Sequence, residues 1–387
     1  MHRLLLSLTF IFAFAIATPV TVTAQTAPKP FADGDTVCFL GDSITHGGSW
    51  HRYIELFYVS REPEKKVNII NCGIGGDRAD GALKRLDWDV LVHQPTVIVI
   101  MLGMNDIGHG NYDSSNPTPE MLAGREKSIT DYRKNMTALV EAIQKRSKAA
   151  IILVKPSPYD ETAEINGKPA RKGANGALAK CSEICGELAQ KYNTAVVDFH
   201  GPMTKLMTEG QKLDPGFALV GRDRVHPGLP GHLVMASLFL RAQGFTLNES
   251  GKLPIATGVN DPVLAKIVPN AELMGSTTPA VGTDASTKKA AEIAMLSTER
   301  FTLGMPLRTI ARMEVSMRGA NIDPKDDAAV KAWIEERNKK MTPDTPAGKT
   351  WEQQATPYLK ARAELTATLK KRQELLEKMR QLAAARS

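Results

Sequence analysis

Two separated blocks of the chain contain the residue types of a hydroxyl nucleophile and its base. The first block is Gly41-Asp42-Ser43, in which a serine follows an apolar run. The second is Asp223-Arg224-Val225-His226, in which a carboxylate precedes an imidazole by three residues. Within one loop that carboxylate can accept the Nδ1–H of His226, fixing its tautomer and stabilising the imidazolium. The sequence therefore offers Ser43 as nucleophile, His226 as base and Asp223 as the group that orients the base.

Two further blocks contain donors that suit a developing oxyanion. Gly73-Ile74-Gly75-Gly76 supplies glycine, which lets a backbone amide approach a ligand closely. Asn105 supplies a neutral side-chain amide, which donates hydrogen bonds but cannot act as a base. Each block taken singly is also typical of an ordinary turn or helix cap. The G-x-G-x-x-G pattern of a dinucleotide site is not met, because Arg78 stands at the third glycine position.

Each block lies where a predicted strand ends or a predicted helix begins. Short β-branched runs predict strands over 36–40, 67–71, 96–101, 150–154 and 195–199. Longer amphipathic stretches predict helices near 50–60, 79–92, 124–147, 173–192 and 229–243. Three of the strands are nearly continuous apolar runs, which is typical of a parallel sheet covered on both faces. The expected fold class is a three-layer α/β/α sandwich with a five-stranded parallel sheet and a site at the carboxyl ends of its strands.

The chain is long for one hydrophobic core, and its character changes along its length. Residues 1–24 have the pattern of a signal peptide with cleavage after Ala24, so a secreted or periplasmic protein is expected. We predict a catalytic domain over 25–245. Residues 246–305 are rich in Pro, Gly, Thr and Asn, which predicts an irregular connector. Residues 306–387 regain helical signals, which predicts a mainly helical C-terminal appendage.

The last predicted helix, which follows Thr356-Pro357, supports two interpretations. It carries an apolar stripe typical of a packed or self-associating helix, interrupted by Arg372. The stripe consists of Leu365, Leu369, Leu376, Met379 and Ala383. The segment 351–387 is also basic, with four more basic than acidic residues, and the whole chain carries a formal charge of +7. Such charge would suit an anionic polymer, whereas the stripe favours packing.

Four cysteines are too few for a disulfide scaffold in a chain of this length. Cys181 and Cys185 lie four residues apart on a predicted helix, where their side chains share a face but diverge. A metal site would need two more ligands near them. We interpret all four as buried thiols, with a bond between Cys38 and Cys72 left open.

Taken together, the blocks resemble those of the SGNH/GDSL hydrolase superfamily over residues 34–243. The superfamily's Ser, Gly, Asn and His correspond to Ser43, Gly76, Asn105 and His226, and its triad acid corresponds to Asp223. Ile44 replaces the Leu of the eponymous Gly-Asp-Ser-Leu string. The resemblance implies the flavodoxin-like fold of these hydrolases. It also implies that the amides of Ser43 and Gly76 and the side chain of Asn105 form an oxyanion hole, with no metal and no cofactor.

The function that we expect is that of a secreted serine esterase that deacylates, and above all deacetylates, carbohydrate. Its partner would be an ester substrate such as acylated polysaccharide, with no nucleic acid and no membrane insertion. A lipolytic enzyme or lysophospholipase of the same superfamily is the alternative, although an aromatic content of 6% gives little sign of an apolar channel. A third hypothesis is a non-catalytic binding protein on this fold, against which the complete set Ser43, Asp223 and His226 argues. The oligomeric state stays open.

Overall fold

The computed structural model of the chain describes residues 26–247, 253–269, 272–274, 284–339 and 351–385. The predicted signal peptide over 1–24 lies outside the described residues. The sheet has five parallel strands in the order β2-β1-β3-β4-β5. They are β1 (Thr36–Gly41), β2 (Asn68–Gly73), β3 (Val97–Met101), β4 (Ala150–Lys155) and β5 (Ala195–Asp198). The predicted fold class, a five-stranded parallel α/β sandwich with a C-terminal helical part, is confirmed.

The register of the sheet brings three strand ends to one level. Gly41, the last residue of β1, pairs with Gly73 of β2 and with Met101 of β3. The strand order reverses at β1, so the crevice at the carboxyl ends of β1 and β3 is where such sheets bind ligands. The loops that carry the sequence blocks start from these ends.

Helices flank the sheet and cover both of its faces. α2 packs against α7, whereas α3, α4 and α5 pack against one another in sequence. The bounds are α1 (Ser43–Gly47), α2 (Ser49–Arg61), α3 (Ala79–Arg85), α4 (Pro119–Arg146), α5 (Ala174–Tyr192), α6 (His200–Gln211), α7 (Leu229–Ala242) and α8 (Leu264–Ile267). The helix predicted over 79–92 is regular only in α3 and continues as a π-helical turn and a 3-10 turn. The sequence did not predict α6, because Gly201, Pro202 and Gly210 weaken the helical pattern there.

The C-terminal helices begin earlier than the sequence predicted. Their bounds are α9 (Ala285–Gly319), α10 (Asp327–Lys339), α11 (Trp351–Ala363) and α12 (Leu365–Ala384). The predicted starts at residue 306 and after Thr356-Pro357 are wrong, because Pro306 and Pro357 lie inside α9 and α11. Since α9 contacts α2, β2, α11 and α12, its apolar residues do not fall on one stripe, and its periodicity is weak. The division into domains stays a prediction.

The apolar stripe of α12 packs into the main hydrophobic core. Leu376 and Met379 are fully buried in the same core as the sheet, whereas Leu369 is half exposed. α12 contacts α2 as well as α9. A second, smaller core lies between α9, α10 and α11 and includes Met317 and Tyr358. These contacts favour the packing interpretation of the C-terminal helix.

All four cysteines are buried and free, which confirms their interpretation as thiols and leaves Cys38 and Cys72 unbridged. Burial raises the pKa of Cys185 to about 11, which keeps its thiol protonated. Within the described ranges, no group of three or more His, Cys, Asp or Glu residues could hold a metal ion. In that part of the chain, no helix combines the length and the apolar character that crossing a membrane requires.

Candidate active site

The turn from β1 into α1 presents Ser43 at the carboxyl edge of the sheet. Ser43 is the first residue of α1, and Asp42 before it is the N-cap, accepting the Ile44 amide on Oδ1 at 2.9 Å. Such a cap satisfies one of the free amides of the first helical turn. Asp42 is almost fully buried, and this burial raises its pKa to about 7. Because its carboxylate is committed to the turn, Asp42 is not placed to orient His226.

Asp223 bonds to the backbone of its own loop as well as to His226. Its Oδ1 accepts the amides of Val225 and His226, each at 3.0 Å. Its Oδ2 lies 2.5 Å from Nδ1 of His226. Partial burial raises the pKa of Asp223, but the hydrogen bonds from the His226 ring and the two amides outweigh it, so the pKa lies below its ordinary value. Asp223 therefore remains a carboxylate that holds Nδ1–H as a donor.

Arg224, which the sequence analysis did not single out, anchors this loop from beneath. Its backbone is left-handed, with φ at +65°, and its side chain is buried. The guanidinium donates to the carbonyls of Lys168, Asp160 and Ala163 at 2.7, 3.3 and 3.2 Å. A buried arginine that ties the loop to a second segment leaves His226 little freedom to move away from the sheet edge.

The structure brings Ser43 and His226 into direct contact across 183 residues of sequence. Nε2 of His226 lies 2.7 Å from Oγ of Ser43. With Nδ1–H donating to Asp223, Nε2 is the acceptor, and the serine hydroxyl donates to it. The side chains of His226 and Asp223 are 47% and 36% exposed, so the site is open to solvent. This arrangement can take a proton from Ser43 while the hydroxyl oxygen attacks a bound carbonyl.

The two other predicted residues lie on adjacent loops. Gly76 has a left-handed backbone, with φ at +80°, which a residue with a Cβ adopts only at a cost in strain. A Cβ placed on Gly76 would meet no atom within 4 Å, so open space lies in front of the loop. Nδ2 of Asn105 donates to the carbonyl of Asp77 at 3.0 Å. An amide nitrogen carries two hydrogens, so Asn105 keeps one donor for another acceptor.

A buried arginine beneath these loops also escaped the sequence analysis. Arg85 is 1% exposed, and its Nη2 donates to the carbonyl of Gly41 at 3.2 Å. Its Nε donates to Oδ2 of Asp77 at 2.8 Å, and it pairs with Asp89 one helical turn further on. The spacing of Arg85 and Asp89 was the available sequence signal, although most such pairs lie on exposed faces.

Other polar residues near the loops have structural surroundings. Arg78 forms an ion pair with Asp80 at 3.2 Å and is more than half exposed. Burial lowers the pKa of His46 to about 4 and that of His51 to about 3, so both rings are neutral near pH 7. Nε2 of His51 lies 3.2 Å from the carbonyl oxygen of Thr45. Neither histidine therefore carries charge into the turn around Ser43.

The family assignment agrees with this geometry. A model of the GDSL-like lipase/acylhydrolase family matches residues 39–234, just over half of the chain. The chain belongs to this family. It is a carboxylic ester hydrolase. The matched range includes every residue that the sequence analysis placed in the site.

Two kinds of relative cover different shares of the chain. An acetylxylan esterase of Geobacillus stearothermophilus is 28% identical over 227 residues, which are 55% of this chain and 95% of the relative. A crystal structure of an acetylxylan esterase from that organism aligns with 57% of this chain and 98% of its own at 24% identity and a TM-score of 0.44. The structure of a gut microbial diltiazem-metabolizing enzyme aligns with 92% of this chain and 97% of its own. Its TM-score is 0.81 at 25% identity, and a likeness of this extent includes the C-terminal helices.

Proposed function

We propose that this ester hydrolase is a secreted serine esterase that removes acetyl groups from carbohydrate. The observation that carries the proposal is the hydrogen-bonded series from Ser43 through His226 to Asp223, with heavy-atom distances of 2.7 and 2.5 Å. A nucleophile in contact with a base that a third group orients is the arrangement that serine hydrolases require. Secretion rests on the sequence pattern of residues 1–24 alone.

The chemistry proceeds in two steps on these residues. Oγ of Ser43 attacks the ester carbonyl while Nε2 of His226 takes its proton, and Asp223 stabilises the imidazolium. The amides of Ser43 and Gly76 and the free donor of Asn105 bind the oxyanion. His226 then gives the proton to the leaving alkoxide. A water molecule, activated by the same base, releases the acyl group from Ser43.

Two observations favour an acetylated carbohydrate as substrate. The acetylxylan esterase relative is covered over 95% of its length, so the likeness extends across that whole protein. The catalytic imidazole is also nearly half exposed, which leaves room for a bulky leaving group such as a sugar chain. A long acyl chain would instead bind by burying its apolar surface, which contributes about 0.8 kcal/mol of favourable free energy for each buried methylene group.

A second candidate function is hydrolysis of small, non-carbohydrate esters. The diltiazem-metabolizing enzyme is similar to this chain over 92% of its length, whereas the acetylxylan esterase match covers 55% of it. That relative's substrate is a small molecule. Both candidates use the same proposed residues, and they differ only in the leaving group.

Acyl-chain preference and acetate release separate the functions. We expect kcat/KM on nitrophenyl esters to fall by at least about tenfold from acetate to octanoate, because an open site offers a long chain little burial. We also expect the enzyme to release acetate from acetylated xylan, as measured by coupled acetate assay. A preference for octanoate or palmitate would support the lipolytic alternative instead. Turnover of small acetate esters without release from xylan would favour the second candidate.

Replacing Asn105 with alanine should lower kcat by about 10²- to 10³-fold, equivalent to about 2.7–4 kcal/mol, with little change in KM. The loss would arise because the amide donates to charge that exists only in the transition state. Steady-state kinetics on nitrophenyl acetate measure it. Asn116→Ala is the control, since Asn116 lies exposed on the same connection between β3 and α4. A rise in KM at constant kcat would assign Asn105 to substrate binding instead.

A further inference from the structure

Arg308 of α9 reaches out of the C-terminal helices to the end of strand β2. It is 5% exposed, and its Nε donates to the carbonyl of Gly73 at 3.0 Å. Its two terminal nitrogens donate to the carboxylate of Asp89, Nη1 to Oδ1 at 3.1 Å and Nη2 to Oδ2 at 2.9 Å. β2 is the edge strand of the sheet, so Arg308 supplies this donor from outside the sheet. Burying a guanidinium is costly unless its donors are paired, and here a carbonyl and a carboxylate pair them.

Gly73 is the point where the loop that carries Gly76 touches the helix that carries Ser43. A Cβ on Gly73 would lie 2.2 Å from the amide nitrogen of His46 in α1, so the two backbones are in direct contact. Asn71 strengthens this junction, since its Nδ2 donates to the carbonyl of His46 at 3.0 Å and its Oδ1 accepts the Gly73 amide at 2.8 Å. A shift of the Gly73 carbonyl would therefore move the loop against α1.

Asp89 links Arg308 to the end of a second strand, β1. The same carboxylate pairs with Arg85. Arg85 in turn donates to the carbonyl of Gly41, the last residue of β1, and to the side chain of Asp77. The series from Arg308 through Asp89 to Arg85 thus holds both ends of the loop 73–77. It also holds the strand end that leads into the nucleophile turn.

The loop 73–77 contains Gly76, and its last carbonyl, that of Asp77, accepts Nδ2 of Asn105. From these contacts we infer that Arg308 is a positioning residue of the ester-hydrolase site. It sets the loop 73–77 at the place where Gly76 and Asn105 stabilise the oxyanion, so α9 completes the catalytic site. Arg308 can act in this way only if Gly76 and Asn105 have the oxyanion role proposed above. Displacing such donors by about 1 Å is enough to cost on the order of 10²-fold in rate.

A second arginine of α9 provides a matched control. Arg300 is also 5% exposed, and its Nη1 contacts both carboxylate oxygens of Glu55 in α2 at 2.6 and 2.8 Å. Like Arg308, it forms a buried ion pair between α9 and the catalytic part of the chain. Its side chain also donates to the backbone carbonyl of Arg372, and neither Glu55 nor Arg372 lies on the loops of the site. Loss of either arginine leaves a carboxylate buried without this partner, and both losses should destabilise the fold.

The test compares Arg308→Met with Arg300→Met in the full-length protein. Both variants should melt at a lower temperature than the wild type. On nitrophenyl acetate, Arg308→Met should lose about 10²-fold in kcat with KM within about twofold, whereas Arg300→Met should keep kcat within about threefold. Equal losses of kcat in the two variants would overturn the inference, since a general loss of stability would then explain both. So would an Arg308→Met variant with unchanged kcat.

A double-mutant cycle tests whether the loss of kcat in Arg308→Met arises through the oxyanion donors. If Arg308 acts through the oxyanion donors, its replacement should cost several-fold less in kcat once Asn105 is already alanine, because only the Gly76 amide is then left to displace. A loss that multiplies in full in the Asn105→Ala background would contradict the inference. Arg308→Lys keeps a positive charge beside Asp89. Its single nitrogen cannot bond both carboxylate oxygens of Asp89 and also the carbonyl of Gly73, so its kcat should lie between those of Arg308→Met and the wild type. Full recovery by lysine would overturn the inference, because the contact with Gly73 would then not be needed.

A substitute variant and a parallel assay ensure that failure of the Arg308 role can be told apart from failure of the proposed site. If Arg308→Met does not fold, Arg308→Lys takes its place, and a loss of kcat above about fivefold supports the inference while a smaller loss overturns it. Ser43→Ala is assayed in parallel. An active Ser43→Ala protein would overturn the proposed site as a whole. An inactive one beside an unimpaired Arg308 variant would overturn only the role of Arg308.

Discussion

Replacing Ser43 with alanine should lower kcat for ester hydrolysis by about 10⁴- to 10⁶-fold with the fold intact. Ser43 lies 2.7 Å from the only ring nitrogen of His226 that is free to accept a proton, so its oxygen is the one the base can activate. Alanine removes the atom that would bond to the acyl group. What remains is catalysis by the oxyanion donors and by binding alone. Single-turnover kinetics with nitrophenyl acetate, read beside a thermal melt, measure this loss.

The control for this change is Ser49→Ala. Ser49 begins α2, six residues along the same connection, and it has the same side chain without the contact to His226. Its alanine variant should keep kcat within about twofold, as most substitutions away from special features do. An active, normally folded Ser43→Ala protein would remove Ser43 from the mechanism. The search for a nucleophile would then have to restart outside this turn.

The sheet could be predicted from sequence because local pattern determines it. β3, for example, is an unbroken run of five apolar residues that are all buried. The grouping of the candidate site residues could be predicted for a related reason, since Ser43, Gly76 and Asn105 each follow a strand, and parallel strands end at one edge. His226 follows no strand directly, since the loop between α6 and α7 brings it to Ser43.

What sequence could not predict are the contacts that depend on long-range packing. Arg308 lies 235 residues from Gly73, and an arginine inside a long helix carries no signal that its side chain is buried. The start of α9 was missed for a local reason, because it lies within the segment 246–305, whose content of Pro, Gly, Thr and Asn predicted an irregular connector. The sequence blocks end before residue 245, which made the C-terminal helices look separable. Arg300, Arg308 and Leu376 nevertheless all pack against α2, the end of β2 or the core that contains the sheet.

Replacing Asp223 with asparagine should lower kcat/KM by about 10³- to 10⁴-fold. Asparagine keeps an oxygen that can accept the amides of Val225 and His226, so the loop should hold its shape. The variant loses the negative charge beside Nδ1, and its amide group can present a donor there. Both changes disfavour the tautomer and the imidazolium that the reaction needs. The partial exposure of Asp223 places the expected loss toward the lower end of this range.

Asp214→Asn is the control for the loss of the Asp223 charge. Oδ1 of Asp214 accepts the amide of Gly216 at 2.9 Å, the same kind of turn contact, on an exposed loop without a histidine partner. This variant should keep wild-type kcat/KM. An Asp223→Asn enzyme that retains more than about a tenth of the wild-type value would show that His226 needs no carboxylate.

The pH dependence of the Asp223→Asn variant distinguishes an electrostatic role of Asp223 from a purely structural one. The pKa of Asp223 lies below its ordinary value of 3.8, so between pH 5 and pH 9 the wild type carries a full charge there. Protonation of Asp223 therefore does not shape the wild-type profile in that range. Removing the charge makes the imidazolium of His226 harder to form, so the acid limb of kcat/KM should move to lower pH in Asp223→Asn. An acid limb at the wild-type position, with kcat/KM reduced by the same factor at every pH, would assign Asp223 to holding the loop alone.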